Sequence, residues 1–295
     1  MRVLFDVYRD GLRSINQAAE QFQRANREVA SGRRILTASD DPLAARQAVN
    51  EHATLARIDA YTRSSDAAGA RLAVTDSTLN SYVDKLTSAM VAGQGARGSH
   101  ATPVSRAAAS AAVRNLRDGL VTDINVSFNG VYLFSGTESG APAYANGGSG
   151  WTYQGNSDVN RADVGVGRTV AVSFDGRALA QGSDPTDVFA VLDDLAAAID
   201  AGDNTLIGDG LAALDRAFDR ALQFQGRLGA DERSLDEAAG SLTTLRLRSD
   251  TRRSALEDVN LAEAATRMTQ AEIAYRAALN AVSTVERQSL LDYLR

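Results

Sequence analysis

The side chains able to do chemistry are few and scattered. His52 and His100 are the only histidines, far apart in the chain, and neither has a second histidine at helical ligand spacing. A zinc-type centre needs three or four converging donors, so both read as solvated or loosely packed imidazoles. There is no cysteine, which removes thiolate ligands, disulfides and a cysteine nucleophile together. Carboxylates gather at Asp187, Asp193 and Asp194, and again at Asp200, Asp203 and Asp209. Neither group has the spacing, central glycine and closing glutamate of a calcium loop, so they read as solvated helix ends. Gly165-Val166-Gly167 lacks the third glycine and following helix of a dinucleotide loop and reads as a bend between strands. No Gly-x-Ser-x-Gly elbow stands beside a histidine and carboxylate set. Trp151 and Tyr153 have the chemistry to stack on a sugar ring, but aromatic residues in a small β region more often form its core. No catalytic, cofactor-binding or metal-ligating residues are expected, and the chain is not expected to be an enzyme.

What the sequence supplies instead is apolar periodicity. Of 295 residues, 44% are hydrophobic but only 6% aromatic, which suits slender alanine-lined helix seams better than a thick core. The net charge of -6 gives no general attraction to phosphate backbones or anionic membranes. Lys85 is the single lysine, so nearly every cation is arginine. The first ten residues are charged too often for a signal-peptide apolar stretch, and no run approaches transmembrane length. The expectation is a cytoplasmic protein or one exported without a cleaved signal.

At the start, Tyr8, Leu12, Ile15, Ala19, Phe22, Asn26 and Val29 recur in alternating steps of four and three, the rhythm of a coiled-coil seam. Asn26 on that seam is either a register device or a tolerated polar residue. Gly32 interrupts the pattern, and Ser39-Asp40-Asp41-Pro42 restarts it with cap-type side chains and proline at a first helical position. Leu55, Ile58, Leu72, Thr75, Leu79, Val83, Leu86 and Met90 then mark a long helix ending near Gly93 to Gly98. Thr102-Pro103 starts the next, through Val113, Leu116, Leu120 and Ile124. Asn129-Gly130 is a turn signal before the β-favouring Val131-Tyr132-Leu133-Phe134.

The stretch 135–184 turns to glycine, serine and asparagine and reads as a small β-rich insertion. Ser183-Asp184-Pro185 resembles the earlier helix starts and leads into Phe189, Leu192, Leu195 and Ile199. After a loop from Gly202 to Gly210, the four-three rhythm runs from Leu211 and Leu214 through Leu235, Ala239 and Leu242. A final seam holds Leu261, Ala264, Met268, Ala271, Tyr275, Ala278, Val282 and Val285. The two terminal seams match in length and are predicted to pair.

The expected fold is mainly α: a long antiparallel coiled-coil-like helical rod built from both chain ends, with a small β-rich inserted domain. Its expected parts are terminal assembly helices 1–42 and 256–295, a helical rod domain 43–134 and 185–255, and the insertion 135–184. Seams exposed in a lone molecule call for a covering chain. The expected assembly interface is Leu12, Ile15, Phe22, Asn26, Val29, Leu261, Met268, Tyr275, Val282 and Val285.

The segment Ser31-Gly32-Arg33-Arg34-Ile35-Leu36-Thr37-Ala38-Ser39-Asp40-Asp41-Pro42 resembles the amino-terminal signature of bacterial flagellin-related axial proteins. Its Ser39, Asp40, Asp41 and Pro42 are similar to the form found in hook-filament junction members of that family. Asn129-Gly130-Val131-Tyr132-Leu133-Phe134-Ser135-Gly136-Thr137 is similar to the segment by which the family leaves its helices for a β domain. Leu256-Glu257-Asp258-Val259-Asn260-Leu261-Ala262-Glu263-Ala264 and the terminal Ser289-Leu290-Leu291-Asp292-Tyr293-Leu294 supply a third match. The resemblance implies an extracellular structural subunit of the flagellum, exported unfolded through the type III apparatus with help from a cytoplasmic chaperone. It would join hook-associated proteins to the flagellin filament, with itself, the proximal junction protein and flagellin as partners and no cofactor, nucleic acid or membrane insertion. The rival readings are a minor filament flagellin and an axial protein whose β insertion binds surface glycans.

Overall fold

The computed structural model describes residues 2–98, 101–148 and 150–293, with side chains described from residue 9 to residue 284 of these. His100 and the side chains of Tyr8 and Val285 lie outside the described residues. The described chain is mainly helical, as expected. In order it runs α1 (Arg2–Ser31), α2 (Pro42–Ala96), α3 (Pro103–Ile124), β1 (Ser127–Phe128), β2 (Val131–Tyr132), β3 (Tyr144–Asn146), β4 (Trp151–Tyr153), β5 (Arg161–Gly165), β6 (Arg168–Ala171), α4 (Gly176–Ala180), α5 (Val188–Ala201), α6 (Asn204–Glu257) and α7 (Leu261–Tyr293). The contacts divide it into a terminal unit, Met1–Arg57 with Leu245–Arg295, and a middle unit, Ile58–Thr244. The division falls inside α2 and α6.

Two helix starts follow the cap-then-proline rule. Asp41 Oδ1 accepts the Ala44 amide at 3.0 Å, with Pro42 opening α2. Thr102 and Ser105 form a reciprocal capping box before Pro103, satisfying amides that the helix leaves unpaired. At the third, α5 begins at Val188 and is capped by Asp187, whose side chain accepts the Ala190 amide. Asp184 is diverted from capping by two guanidinium groups, bonding Arg216 Nε at 2.9 Å and also Arg220. The expected loop from Gly202 to Gly210 is likewise shorter. Gly202, at φ 69°, ends α5, and Asp203 accepts the amides of Thr205 and Leu206 to start α6. Gly208 and Gly210 therefore lie inside the helix. At Gly210 a Cβ would stand 3.2 Å from Leu195 Cδ1, so its place there permits close approach of α5 rather than a turn.

Each sheet is a two-stranded antiparallel hairpin, the first of them, β1–β2, just before the insertion and the other two within it. In the first, Asn129 (φ 52°) and Gly130 (φ 78°) make the two-residue turn with both residues left-handed, which matches the strand twist. Gly165-Val166-Gly167 turns β5 into β6, with Gly167 at φ 70°. The amides of Phe174 and Gly176 donate to the carbonyls of Leu133 and Phe134 at 2.7 and 2.8 Å. The hairpins close on the same core as the helices: Tyr144, Val164 and Val170 pack in one cluster with Tyr82, Leu120, Ile124, Phe189 and Leu192.

Along α6, Ile207, Leu214, Ala221, Leu228 and Leu242 are buried at heptad spacing, and Leu235 is partly buried in the same row. Ala238 is buried and Ala239 exposed, one residue off the expected seam. The only lysine, Lys85, lies against Gly119 and donates to Ser81 and, at 2.6 Å, to Asp123.

Candidate functional site

The terminal unit is built on the pairing of α1 with α7. Their antiparallel register is fixed by three contacts along the pair. Gly11 faces Val282, where an added Cβ would stand 2.8 Å from Val282 Cγ2. The rings of Phe22 and Tyr275 stack with centroids 6.3 Å apart and planes within 2°. Arg267 Nη2 donates to Glu28 at 3.0 Å.

The α7 side follows the spacing read from sequence: Ala264 is buried, and Met268, Ala271, Tyr275, Ala278 and Val282 are half-buried. Half of the α1 seam needs correction. Ile15, Phe22 and Val29 face the pair as expected, but they alternate with Gly11, Ala18 and Ala25, not with Leu12, Ala19 and Asn26. Ala18 and Ala25 are buried, whereas Leu12 is 41% exposed and Asn26 is exposed. The reason is steric: a residue with little or no side chain at these positions brings the helix axes close enough for the rings to stack. Asn26 thus points to solvent and sets no register in this pair. Leu261 also lies off the seam, 59% exposed.

The outer side of α7 is unusual in another way. Ala262, Thr266, Thr269, Ile273, Ala277, Asn280 and Thr284 recur at helical spacing opposite the seam. All are exposed and none is charged. A solvated helix back ordinarily carries charge.

At the inner end of the pair, the signature segment forms a hydrogen-bonded knot. Arg33 and Asp258 make an antiparallel bridge, and the Arg34 amide donates to the Glu257 carbonyl at 2.6 Å. The Val259 amide donates to the Gly32 carbonyl at 3.0 Å. The Arg34 guanidinium reaches the Leu256 carbonyl at 3.0 Å and Asp41 Oδ2 at 3.3 Å. Asp40 Oδ2 accepts the amides of Thr37 at 2.8 Å and Leu36 at 3.0 Å. Those amide bonds hold the Asp40 carboxyl below the usual carboxylate range. The Ala44 amide, then Arg34, does the same for Asp41. Ser39 adds a hydroxyl bond to Thr37 at 2.8 Å. Thus Ser39, Asp40 and Asp41 tie the turn and, with Pro42, start α2, while Gly32, Arg33 and Arg34 hold the crossing of the two chain segments.

One partnership was not legible in the spacing. His52 Nε2 lies 2.8 Å from Oε1 of the buried Glu257, so this imidazole has a definite partner. A contact between residues so far apart in sequence leaves no local signal.

In the middle unit, Trp151 and Tyr153 face inward. The Tyr153 hydroxyl lies 2.9 Å from the Asn156 carbonyl and 3.1 Å from that of Phe134. Tyr144 meets Phe189 edge-on at 4.9 Å, and Trp151 is tilted over the same ring at 6.5 Å. These aromatics are core rather than a platform for a sugar. Among the described residues no group of three His, Asp or Glu side chains converges as a metal site. Among them, too, no helix is long and apolar enough to cross a membrane. What the geometry offers is surface for packing against another protein chain.

Comparison with known proteins agrees with this. The model of the bacterial flagellin N-terminal helical region matches residues 8–139, and that of the C-terminal helical region matches residues 211–294. Flagellar hook-associated protein 3 of Escherichia coli (strain K12) is 24% identical over 206 residues, which are 65% of this chain and 64% of that relative's length. The aligned part is thus just under two thirds of the relative. A solved structure from Vibrio parahaemolyticus, described as a flagellar hook-associated protein, has a TM-score of 0.70 at 21% identity, covering 74% of this chain and 100% of its own. The flagellar junction protein FlgL from Legionella pneumophila has a TM-score of 0.62 at 14% identity, covering 72% and 100%. At these identities the solved structures establish a shared fold.

Proposed function

Because the chain belongs to the bacterial flagellin family, with that family's helical regions at both of its ends, we propose that it is a structural subunit of the flagellum. In this reading it forms the junction between hook-associated proteins and the flagellin filament. The observation that carries the reading is the antiparallel α1–α7 pair, whose outward α7 face is uncharged and holds the exposed Ile273. Such a face is suited to burial against neighbouring chains, which is what a tube subunit requires. The similarity to named hook-associated and junction proteins supports the junction over a plain filament role.

In the proposed division of labour, residues 1–42 and 256–295 assemble, 43–134 and 185–255 form the supporting helical part, and 135–184 is the insertion. The assembly residues are Leu12, Ile15, Phe22, Asn26, Val29, Leu261, Met268, Tyr275, Val282 and Val285. Leu12, Asn26 and Leu261 are available to neighbouring chains, and Ile15, Phe22, Val29, Met268, Tyr275 and Val282 act by holding the pair together. Partners are further copies of the chain, the proximal junction protein and flagellin, after passage through the type III apparatus with a chaperone and without a cleaved signal. The role is mechanical and needs no catalysis. A strain lacking the chain is expected to build hooks and secrete unassembled flagellin; normal filaments in that strain would overturn the reading.

A further inference from the structure

Two asparagines are followed directly by glycine: Asn129 in the β1–β2 turn and Asn146 at the end of β3. Glycine leaves its own amide nitrogen uncovered by a side chain, so in such a pair that nitrogen can reach the neighbouring carboxamide carbon and close a five-membered ring. The two sites share this local chemistry and are both exposed. Their hydrogen bonds separate them.

At Asn146 the carboxamide is already folded back along the chain. Its Oδ1 accepts the Gly148 amide at 3.0 Å, an Asx-type turn that lays the carboxamide carbon over the intervening Gly147 nitrogen. The same bond draws electron density away from that carbon. Gly148 at φ 82° and Gly150 at φ 130° follow, and glycine admits the backbone rotation that ring closure needs. The Gly147 amide donates to the Gly150 carbonyl at 3.0 Å, but a single bond inside an exposed loop opens at little cost.

At Asn129 the same reaction meets a closed turn. Asn129 is held left-handed at φ 52°, and no hydrogen bond among the described residues folds its carboxamide toward Gly130. The strand leaving the turn is pinned by the Leu133 amide on the Val126 carbonyl at 3.2 Å and by the Tyr132 amide on the Ser139 carbonyl at 3.0 Å. It runs straight into the buried Leu133 and Phe134. Bringing Asn129 into a ring-closing conformation therefore requires the hairpin to open against the core.

We propose that Asn146 is a site of self-modification, converting to aspartate and isoaspartate in the folded chain while Asn129 persists. The Gly147 nitrogen, its proton lost to hydroxide, attacks the Asn146 carboxamide carbon. A C–N bond forms, the bond to Nδ2 breaks, and that nitrogen leaves as ammonia after taking protons from water. Water then adds to one carbonyl of the cyclic imide. Cleavage of the new C–N bond gives aspartate, and cleavage of the original peptide bond gives isoaspartate, with the chain continuing through the side-chain carbon. The sum is asparagine plus water going to acid plus ammonia. Each event adds a negative charge to the exposed end of the β3–β4 hairpin, and the isoaspartyl form also lengthens the backbone there. The converted fraction rises with the age of a copy, whatever that copy is assembled with.

The full-length chain is incubated at pH 6 and at pH 8, then digested with chymotrypsin, which cuts at the aromatic residues between the two sites. Mass spectrometry follows each peptide, and enzymatic methylation reports isoaspartate. The peptide holding Asn146 is expected to gain about one mass unit, and to do so about tenfold or more faster than the peptide holding Asn129. Conversion should be faster at pH 8. In the urea-unfolded chain the two rates should come together. Comparable rates in the folded chain, or a faster Asn129, overturn the inference. So does a difference that survives unfolding, which would belong to sequence and not to the fold. Gly147→Ala places a Cβ at an ordinary 3.6 Å from Thr152 Oγ1 and should slow conversion about tenfold, because a side chain there covers the nitrogen and restricts the backbone. Trp151 fluorescence should be unchanged in that variant. Asn146→Gln should abolish the gain in its peptide. An undiminished gain in either variant overturns the assignment.

Discussion

Among the described residues, the middle unit is filled by large side chains, and the terminal unit is closed mostly by small ones. Tyr82, Phe134, Phe189, Leu72 and Leu120 are among the largest fully buried residues and all belong to the middle unit. Among the described residues, the buried apolar positions of the terminal unit are Ala18, Ala25, Ala44, Ala48 and Ala264. Burying a Leu or Phe side chain contributes about 1.5–3 kcal/mol, whereas a single methyl-sized group contributes nearer ~0.8 kcal/mol. Each buried position of the middle unit thus contributes more than one of the terminal unit. The terminal unit gains close helix approach instead of area, and it leaves larger residues such as Ile273, at 63% exposure, facing outward. A protein designed to be completed by neighbours keeps its larger apolar surface for them.

The hardest test of this contrast is Phe189→Ala. Phe189 is fully buried and meets both Tyr144 and Trp151, so the middle unit should lose about 3–5 kcal/mol. Urea unfolding followed by the fluorescence of Trp151, the only tryptophan, measures it. A loss below ~1 kcal/mol would remove the contrast between the two units.

Tyr275→Asp should act on the other region alone. It removes the ring stacked on Phe22 and places a carboxylate in the seam, costing the helix pair roughly 2–4 kcal/mol. Motility should not be complemented, while the Trp151 unfolding curve stays where it was. A shifted curve would mean that the two regions are not separable.

Gly11→Ala sharpens the argument from small residues. The new methyl would meet Val282 Cγ2 at 2.8 Å and should cost about 1–2 kcal/mol through forced separation of the helices. Thermal melting of the full-length chain followed by far-ultraviolet circular dichroism should show the early, terminal-unit phase moved down.

Acid should loosen the signature loop. Asp40 and Asp41 have depressed carboxyl pKa values in the folded chain. Their contribution is therefore present above the ordinary carboxylate range and is lost as pH falls through the lower folded values. In the middle unit the signs are mixed: burial raises the Asp187 carboxyl, so its protonation favours the folded form, whereas at Asp184 burial is outweighed by Arg216 and Arg220, which hold the carboxyl low, and that contribution is lost on acidification. Because Asp40 is exposed and Asp41 only half-buried, the effect is modest. Hydrogen exchange at the Leu36, Thr37 and Ala44 amides should quicken at pH 3 relative to pH 6, after correction for intrinsic rates. Unchanged protection would place the loop's stability elsewhere.

The smallest effect belongs to Asn26→Leu, since Asn26 faces solvent. Monomer stability should move by no more than about 0.5 kcal/mol. A gain above ~1 kcal/mol would return Asn26 to the seam.

The unequal legibility of the two regions has the same origin as their unequal cores. Phe22 and Tyr275 announce a seam because large apolar residues stand out at coiled-coil spacing. Gly11, Ala18 and Ala25 do not, since small residues are equally at home on an exposed helix face. Counting Leu12 and Asn26 in their place shifts half the seam by one residue. Pro42, Thr102 and Asn129-Gly130 were readable because capping and turn chemistry act within a few residues. Asp184 carried the same local signature and failed it, because Arg216 and Arg220 come to it from α6. The short α4 and the helical Gly208 and Gly210 were hidden for a related reason, since local composition there favours loops and only the packed surroundings decide. In the knot, the roles of Asp40 and Asp41 lay close at hand in sequence. The partnership of His52 with Glu257 did not.

The seated Lys85 has a consequence for how the assembled surface ages. Aldehydes and other carbonyl electrophiles attack amines, and the chain's one side-chain amine is partly buried and held between Ser81 and Asp123. The remaining positive charge is carried by arginine, which keeps its proton throughout the physiological range. Cationic contacts between subunits can therefore persist without offering amines to glycation or formaldehyde-type cross-linking.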